Sequence, residues 1–320
     1  MKKDNILVSI SCIAYNQKDY IRDCLEGIVK QKTTFPFEVL VHDDASTDGT
    51  ADIIREYEKM YPEIIKPIYQ KENQYSKGVN IANTYQLPRA KGKYYAICEG
   101  DDYWTDQKKL QLQVEYMEEH PECSLTCHNS IRLFCDSGLQ KVENPYEQEG
   151  IVDPAEVIFH KPDCWPATAS LIYKTEDRRK MPVFVDNVPI GDYPLRMYCA
   201  GIGNVYYFDR VMSVYRFGSL ASWTKSLTSE QNTLLATKMI EWLTKYNAFT
   251  QYQYAEPVEM AVQRYKGAIA YANRDYRALV ENTEIRKNKK KWMIYKLGCY
   301  MPHIVSGLIE LHSRRKKHGH

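Results

Sequence analysis

Residues 96–104 read AICEGDDYW, an apolar run that stops at a glycine and is followed at once by two adjacent carboxylates, Asp101 and Asp102. Neighbouring Asp side chains at the end of a buried strand repel each other and lose hydration, so they are tolerated where a cation or a row of donors compensates them. A hard divalent ion suits such a pair. Mg2+ or Mn2+ takes one or two carboxylates and completes its shell with water and phosphate oxygens, as when it holds a nucleotide. Gly-Asp-Asp is also turn chemistry, and on these residues alone a polar loop is the alternative.

The same pattern, an apolar run ending in polar residues, occurs twice upstream. Residues 6–14 are β-branched, apolar and small, and lead into Tyr15-Asn16-Gln17; residues 37–41 lead into His42, Asp43 and Asp44. Between them, Tyr20, Ile21, Leu25, Ile28 and Val29 fall at helical spacing, and after Asp44 the apolar positions Ile53, Ile54 and Tyr57 share one helical face, with Ser46 or Thr47 as the expected cap. A third strand over 64–69, a short helix over 79–87 stopped by Pro88, and the strand 94–98 complete β-α-β-α-β-α-β. This alternation predicts an α/β fold with a mostly parallel sheet and helices on both faces, whose ligands gather beyond the carboxyl ends of the strands. Tyr15, Asp43, Asp44, Asp101 and Asp102 should therefore share one rim. No GxGxxG follows the first strand and no GxxxxGK[ST] occurs near it, which argues against a dinucleotide oxidoreductase and a P-loop nucleotidase.

Further along, 108–120 reads as an amphipathic helix, 124–134 as a strand, 163–173 as a loop entering a strand, 195–200 as a helix, and 205–207 and 211–215 as two short strands. From 226 the pattern turns helical, at 230–246, 257–272 and 292–311. The expected organisation is a catalytic domain over 1–225, divided into a nucleotide-binding half (1–102) and an acceptor half (103–225), and a helical region over 226–320.

The 320 residues suffice for a large α/β core, and 44% apolar and 26% charged residues are ordinary for a globular protein. The net charge of +2 hides an asymmetry: from Arg286 onward there are ten Lys or Arg and one acid, Glu310, against 33 basic and 40 acidic residues before it. That polarity points to an anionic partner for the tail, and an anionic membrane surface along 286–320 is expected rather than nucleic acid. Ile294, Leu297, Met301, Ile304, Val305, Leu308 and Leu311 form an apolar stripe, while Lys296, Pro302, His303 and Glu310 argue against a spanning helix. Nine scattered cysteines fit reduced core thiols, and hence a cytoplasmic protein, peripheral on the inner face of the membrane.

As a set, 9–16 (SISCIAYN), 38–50 (EVLVHDDASTDGT), 91–104 (KGKYYAICEGDDYW) and 190–195 (IGDYPL) resemble family 2 of the glycosyltransferases, inverting enzymes with the GT-A fold. The resemblance implies a nucleotide-sugar donor, usually a uridine diphosphate sugar, and a divalent metal. Carried over by position, Tyr15 with Asn16 would meet the base, Asp44 beside Asp43 would accept from the uracil imide, and Asp102 would ligate the metal. Asp101 would face the ribose or a metal-bound water. Glu99 stands where Asp is more usual in the family's DXD element. Asp192 occupies the general-base position; its competing reading is a helix N-cap. Trp104 and Trp165 are candidate acceptor platforms and Arg216 a candidate diphosphate contact. The absence of a Gln-x-x-Arg-Trp element points to transfer of a single sugar, with a lipid-linked or cell-surface polysaccharide precursor as the expected acceptor. The competing functions are a nucleotidyltransferase that makes a sugar nucleotide and a catalytically silent, nucleotide-sugar-binding or membrane scaffold protein.

Overall fold

The computed structural model describes residues 5–160, 164–186, 192–218 and 228–307. The chain divides into two compact units, one of 1–182 with 192–226 and the other of 183–191 with 227–320.

In the first unit, β1 (Val8–Ala14), α1 (Ile21–Val29), β2 (Phe37–Asp43), α2 (Thr50–Met60), β3 (Ile65–Tyr69) and β4 (Tyr94–Ile97) alternate as expected. β1 and β2 are buried along almost their whole length, which explains why they read as continuous apolar runs rather than alternating ones. The strands pair in parallel in the order β3-β2-β1-β4 and bring Ala14 opposite Asp43. The expected helix over 79–87 is instead a short irregular coil of π and 3-10 turns over Ala82–Gln86 and Leu87–Arg89. There the buried Gln86 donates to the carbonyls of Cys12 and Leu40, and Pro88 begins the last turn rather than ending a helix.

Beyond β4 the sheet becomes mixed. β5 (Tyr103–Trp104), α3 (Lys109–Glu119), β6 (Cys123–Phe134), β7 (Gln140–Val142), β8 (Gly150–Val152), α4 (Pro154–Ile158), β9 (Ile172–Lys174), α5 (Thr175–Arg179), α6 (Val183–Asp186), α7 (Asp192–Ile202) and β10 (Asn204–Phe217) follow, with α6 belonging to the second unit. The order continues β4-β9-β6-β10-β5, with β9 antiparallel to both neighbours and β6 parallel to β10. The two short strands expected at 205–207 and 211–215 are one strand, because bulges near Phe208 and Val211 turn Asp209 and Arg210 outward without ending the pairing. Gly27 lets α1 lie against β5, since a Cβ there would meet the Trp104 carbonyl oxygen at 2.5 Å.

The second unit adds α8 (Ser229–Phe249), α9 (Ala255–Ala272), α10 (Tyr276–Glu281), α11 (Thr283–Lys287) and α12 (Lys289–Gly298). α8 starts in a reciprocal capping box in which the Thr228 hydroxyl accepts from the Gln231 amide and the Gln231 side chain accepts from the Thr228 amide. The single helix expected over 292–311 is interrupted: α12 ends at Gly298 and a further helical turn covers 302–307, with Pro302 at its start.

Candidate active site

The acidic loop leaves β4 still bound to β1, through Cys98 N–H to the Ser11 carbonyl (3.0 Å) and Gly100 N–H to the Ile13 carbonyl (3.0 Å). Glycine at 100 leaves the turn close against Gln17 and Ala14, since a Cβ would lie 2.3 Å from Gln17 Oε1 and 3.0 Å from Ala14 Cβ and would push the Gln17 side chain aside. The turn closes with Asp102 N–H on the Glu99 carbonyl and delivers the Asp102 side chain into the protein, 1% exposed. Its Oδ1 accepts the Arg216 backbone N–H at 2.9 Å from β10, while its buried Oδ2 has no hydrogen-bond partner among the described residues. One oxygen is anchored and the other is presented.

Burial first, then the charges of Asp101 and Glu99, hold the Asp102 carboxyl well above the usual carboxylate range, against the opposing pull of the Arg216 amide and guanidinium. Glu99 is open to solvent yet set deep in the protein mass, as at the floor of a cleft; desolvation, then Asp101 and Asp192, push it up to about 8. Glu99 thus feels the charges of Asp101 and Asp192, and Asp102 those of Asp101 and Glu99. A divalent cation fits here, because it would satisfy the bare Asp102 Oδ2 and relieve the repulsion that raises both carboxyls. No group of three or more His, Cys, Asp or Glu side chains able to hold a metal occurs among the described residues, so a cation on Asp102 would draw its other ligands from water and phosphate.

Arg216 is fully engaged in building this floor. Its guanidinium donates to the Asp101 carbonyl (2.8 Å), pairs with Asp23, and lies over the rings of Tyr20 (5.1 Å) and Tyr103 (4.5 Å). Here it braces the acidic loop rather than pointing a spare charge at a diphosphate.

The adjoining strand ends form the second part of the site. Asn16 takes a left-handed conformation (φ 51°), tolerated by an Asx side chain, and clasps the loop after β2: its N–H donates to Ser46 Oγ (2.9 Å) and its Oδ1 accepts the Thr47 N–H (2.8 Å). Ser46 therefore holds the loop instead of capping α2, whose first amide, at Thr50, donates to Asp48 Oδ1. Tyr15 stays 41% exposed beside this clasp. Asp44 is buried, with Oδ1 accepting the Gln74 amide at 2.8 Å and Oδ2 the Tyr75 amide at 3.0 Å; the buried His42 Nε2 also lies 3.5 Å from Oδ1, which leaves Oδ2 with the less contested second lone pair. Asp43 accepts the Ser46 amide through Oδ2, leaves the buried Oδ1 bare among the described residues, and is raised by burial.

Asp192 is the first residue of α7, and its carboxylate lies 3.6 Å from the buried guanidinium of Arg196 one turn on. Ile190 and Gly191, the start of that motif, lie outside the described residues. Trp104 does not face the cleft. It is 3% exposed, donates its indole N–H to the Ala169 carbonyl and packs under the floor, where the buried Lys109 ammonium sits 4.1 Å from its ring. Trp165 is half-buried, with the Arg132 guanidinium 5.3 Å above it and an Arg132–Glu143 ion pair of 2.6 Å behind. The sequence reading missed Arg196, although its i+4 spacing from Asp192 was available, and Lys109, for which a lysine at a helix start gives no signal of burial.

Residues 9–154 match the family model described as Glycosyl transferase family 2. Over that stretch the chain is similar to glycosyl transferase family 2. The matched stretch carries the clasp, Asp44 and the acidic loop, while Asp192 and Arg216 lie beyond it. An uncharacterized protein of Mycobacterium tuberculosis strain H37Rv is 35% identical over 231 residues, which cover 70% of this chain and 62% of that protein. The putative teichuronic acid biosynthesis glycosyltransferase TuaG of Bacillus subtilis is 40% identical over 113 residues, 35% of this chain and 42% of TuaG. Among solved structures, the 1-349 fragment of S. aureus TarS in complex with UDP-GlcNAc superposes with a TM-score of 0.58 at 15% identity, over 93% of this chain and 92% of that one, a likeness of the GT-A fold.

Proposed function

We propose that this chain transfers one sugar from a nucleoside diphosphate sugar, a UDP-sugar by the chemistry of its rim, to an acceptor hydroxyl with inversion at the anomeric carbon. The carrying observation is the split environment of Asp102, one oxygen fixed by the Arg216 amide and the other buried and bare among the described residues, within the field of Asp101 and Glu99. Tyr15 supplies an exposed ring for a base, and the second lone pair of Asp44 Oδ2 suits an imide N–H, a donor that cytosine and adenine lack at that position. Asp102, with Asp101 beside it, would hold Mn2+ or Mg2+, and the bound ion would oppose the charge that develops on the departing diphosphate. Asp192 takes the proton of the acceptor hydroxyl as its oxygen bonds to the anomeric carbon and the bond to the diphosphate oxygen breaks, the electron pair leaving with the diphosphate. Arg196 holds the Asp192 carboxylate at the head of α7. Trp165, on the Arg132 guanidinium, supports an acceptor ring.

The names of relatives, one for teichuronic acid biosynthesis and one for transfer to a diphosphoundecaprenol-linked sugar, support a polysaccharide precursor, lipid-linked or at the cell surface, as acceptor, and a place for the protein in the cytoplasm against the inner membrane face is part of this proposal. No described helix is long and apolar enough to cross a membrane. A thermal-shift panel of nucleotide sugars with and without Mn2+, followed by transfer assays on Asp192→Asn, tests the reading. The expected outcome is a metal-dependent shift with a uridine diphosphate sugar, kept in Asp192→Asn while transfer falls about 10²–10⁴-fold. Unchanged turnover in that variant rules out Asp192 as the base.

A further inference from the structure

The C-terminal helix has two apolar faces, and only one of them is used within its own unit. On the first, the Trp292 indole N–H donates to the Val280 carbonyl, and the Tyr295 ring lies 6.4 Å from those of Tyr271 and Tyr276. Gly298 is pressed so closely on Tyr276 that a Cβ would lie 2.6 Å from its ring, and Val305 is buried with Ala270, Tyr276 and Leu279. On the second, Met293, Ile294, Leu297, Tyr300, Met301 and Ile304 are exposed by between 40% (Ile294) and 78% (Tyr300). Met293, Ile294 and Leu297 lie on one side of α12, and Tyr300, Met301 and Ile304 follow through the linking turn, where the Met301 N–H still donates to the Leu297 carbonyl (2.9 Å), into the helical turn 302–307. Six large apolar side chains on a single stripe are not scattered surface hydrophobics but an interaction face.

The charge beside the stripe selects the partner. Arg286, Lys287, Lys289, Lys290, Lys291 and Lys296 occur within 286–307 with no acid in that span, and the four lysines from 289 onward have no ion-pair partner among the described residues. A second protein surface would be expected to meet an apolar seam with acids as well as bases at its rim. A dense basic rim around an apolar stripe suits anionic lipid headgroups over an acyl interior. We infer that residues 289–307 lie flat on an anionic lipid surface, inserting the Met293-to-Ile304 stripe while Trp292, Tyr295, Gly298 and Val305 keep the helix docked on its own unit. The binding face is preformed. Lipid binding therefore needs no folding of the helix, and affinity is not reduced by an ordering cost.

Flotation of the full chain with vesicles, alongside circular dichroism, tests this independently of the transferase reading. The protein is expected to float with phosphatidylcholine vesicles containing about 30% phosphatidylglycerol, to remain behind with pure phosphatidylcholine, and to gain no helicity on binding. Leu297→Glu with Ile304→Glu should reduce flotation at least ~10-fold and Lys289→Gln with Lys290→Gln and Lys291→Gln should reduce it several-fold, with thermal midpoint and donor-induced shift unchanged. Absence of flotation by the parent protein, or flotation by the Glu variant at the parent level, overturns the inference. So does a dimer in sedimentation that the Glu variant converts to monomer without any lipid effect, because the stripe would then be covered by a second copy.

Discussion

The acidic floor and the C-terminal helix break the ordinary partition of side chains in opposite directions. The floor takes Asp102, Lys109 and Arg216 out of water, whereas α12 and the turn after it leave methionine, leucine, isoleucine and tyrosine in it. Burying a charge without full compensation and exposing a large apolar side chain both weaken a fold. The unsatisfied chemistry differs in kind, though: in the first unit it is a bare carboxylate oxygen at a defined point, suited to an ion, and in the second a broad apolar stripe, suited to a surface. The contrast teaches that the fold tolerates imperfection, within the few kcal/mol of its margin, at two places of different chemical kind.

The sharpest way to break the contrast is at Asp102. Asp102→Asn keeps an acceptor for the Arg216 amide but removes the charge, so transfer should fall about 100-fold or more and the Mn2+-induced thermal shift should vanish, while the metal-free protein loses no stability. A variant that still responds to Mn2+ would place the ion elsewhere.

Lys109 sharpens the same side. Its ammonium has no hydrogen-bond partner among the described residues, and burial lowers it to about 7 from 10.5. A depressed lysine stabilises least at low pH, since between 7 and 10.5 the unfolded chain binds a proton that the native one does not. Lys109→Met should therefore raise stability on the order of a few kcal/mol at pH 6, with the advantage shrinking as pH rises toward 10. Denaturant titrations at several pH values check it, and a uniform loss would show that the lysine is compensated.

Glu99 carries the opposite sign. Its carboxyl is raised from 4.5 to about 8, so over that window the metal-free native state binds the extra proton and stability declines as pH rises. Glu99→Gln should flatten that decline between pH 5 and 7, and Mn2+ should oppose it in the parent; equal slopes with and without the substitution would contradict the assignment. The smallest effect belongs to the second unit, at the start of α8. Thr228→Ala should cost about 1 kcal/mol through the capping box of α8, read as faster amide exchange in its first turn, without altering the metal response.

Legibility in the sequence followed the same division. β1, β2 and β4 were readable because strands buried on both faces leave uninterrupted apolar runs, and their polar ends marked the rim that holds Tyr15, Asp44 and Asp102. β10 was misread as two strands because a bulge that expels Asp209 and Arg210 looks, in one dimension, like a turn. Trp104 was misplaced for a similar reason: aromatic character beside the acids says nothing about which side of a two-residue strand it faces, and here it faces inward. The Ser46 and Thr47 caps failed because both residues have a partner in Asn16, about 30 residues away: the Ser46 hydroxyl accepts its backbone N–H, and Thr47 donates to its side-chain oxygen. Long-range partners of this kind leave no local periodicity.

Arg216 has a consequence in time rather than in space. It joins the acidic loop to the end of β10 by an amide 114 residues from Asp102 and a guanidinium 193 residues from Asp23. A chain made from its N-terminus thus displays the acidic loop well before Arg216, the residue that braces it, has been synthesised. Until that last strand inserts, Asp102 has no fixed oxygen, and the repelling carboxylates remain in water where they are harmless. The centre forms only as the strand that closes the unit arrives, so the order of translation itself delays the assembly of a charged cleft until the rest of the sheet is there to contain it.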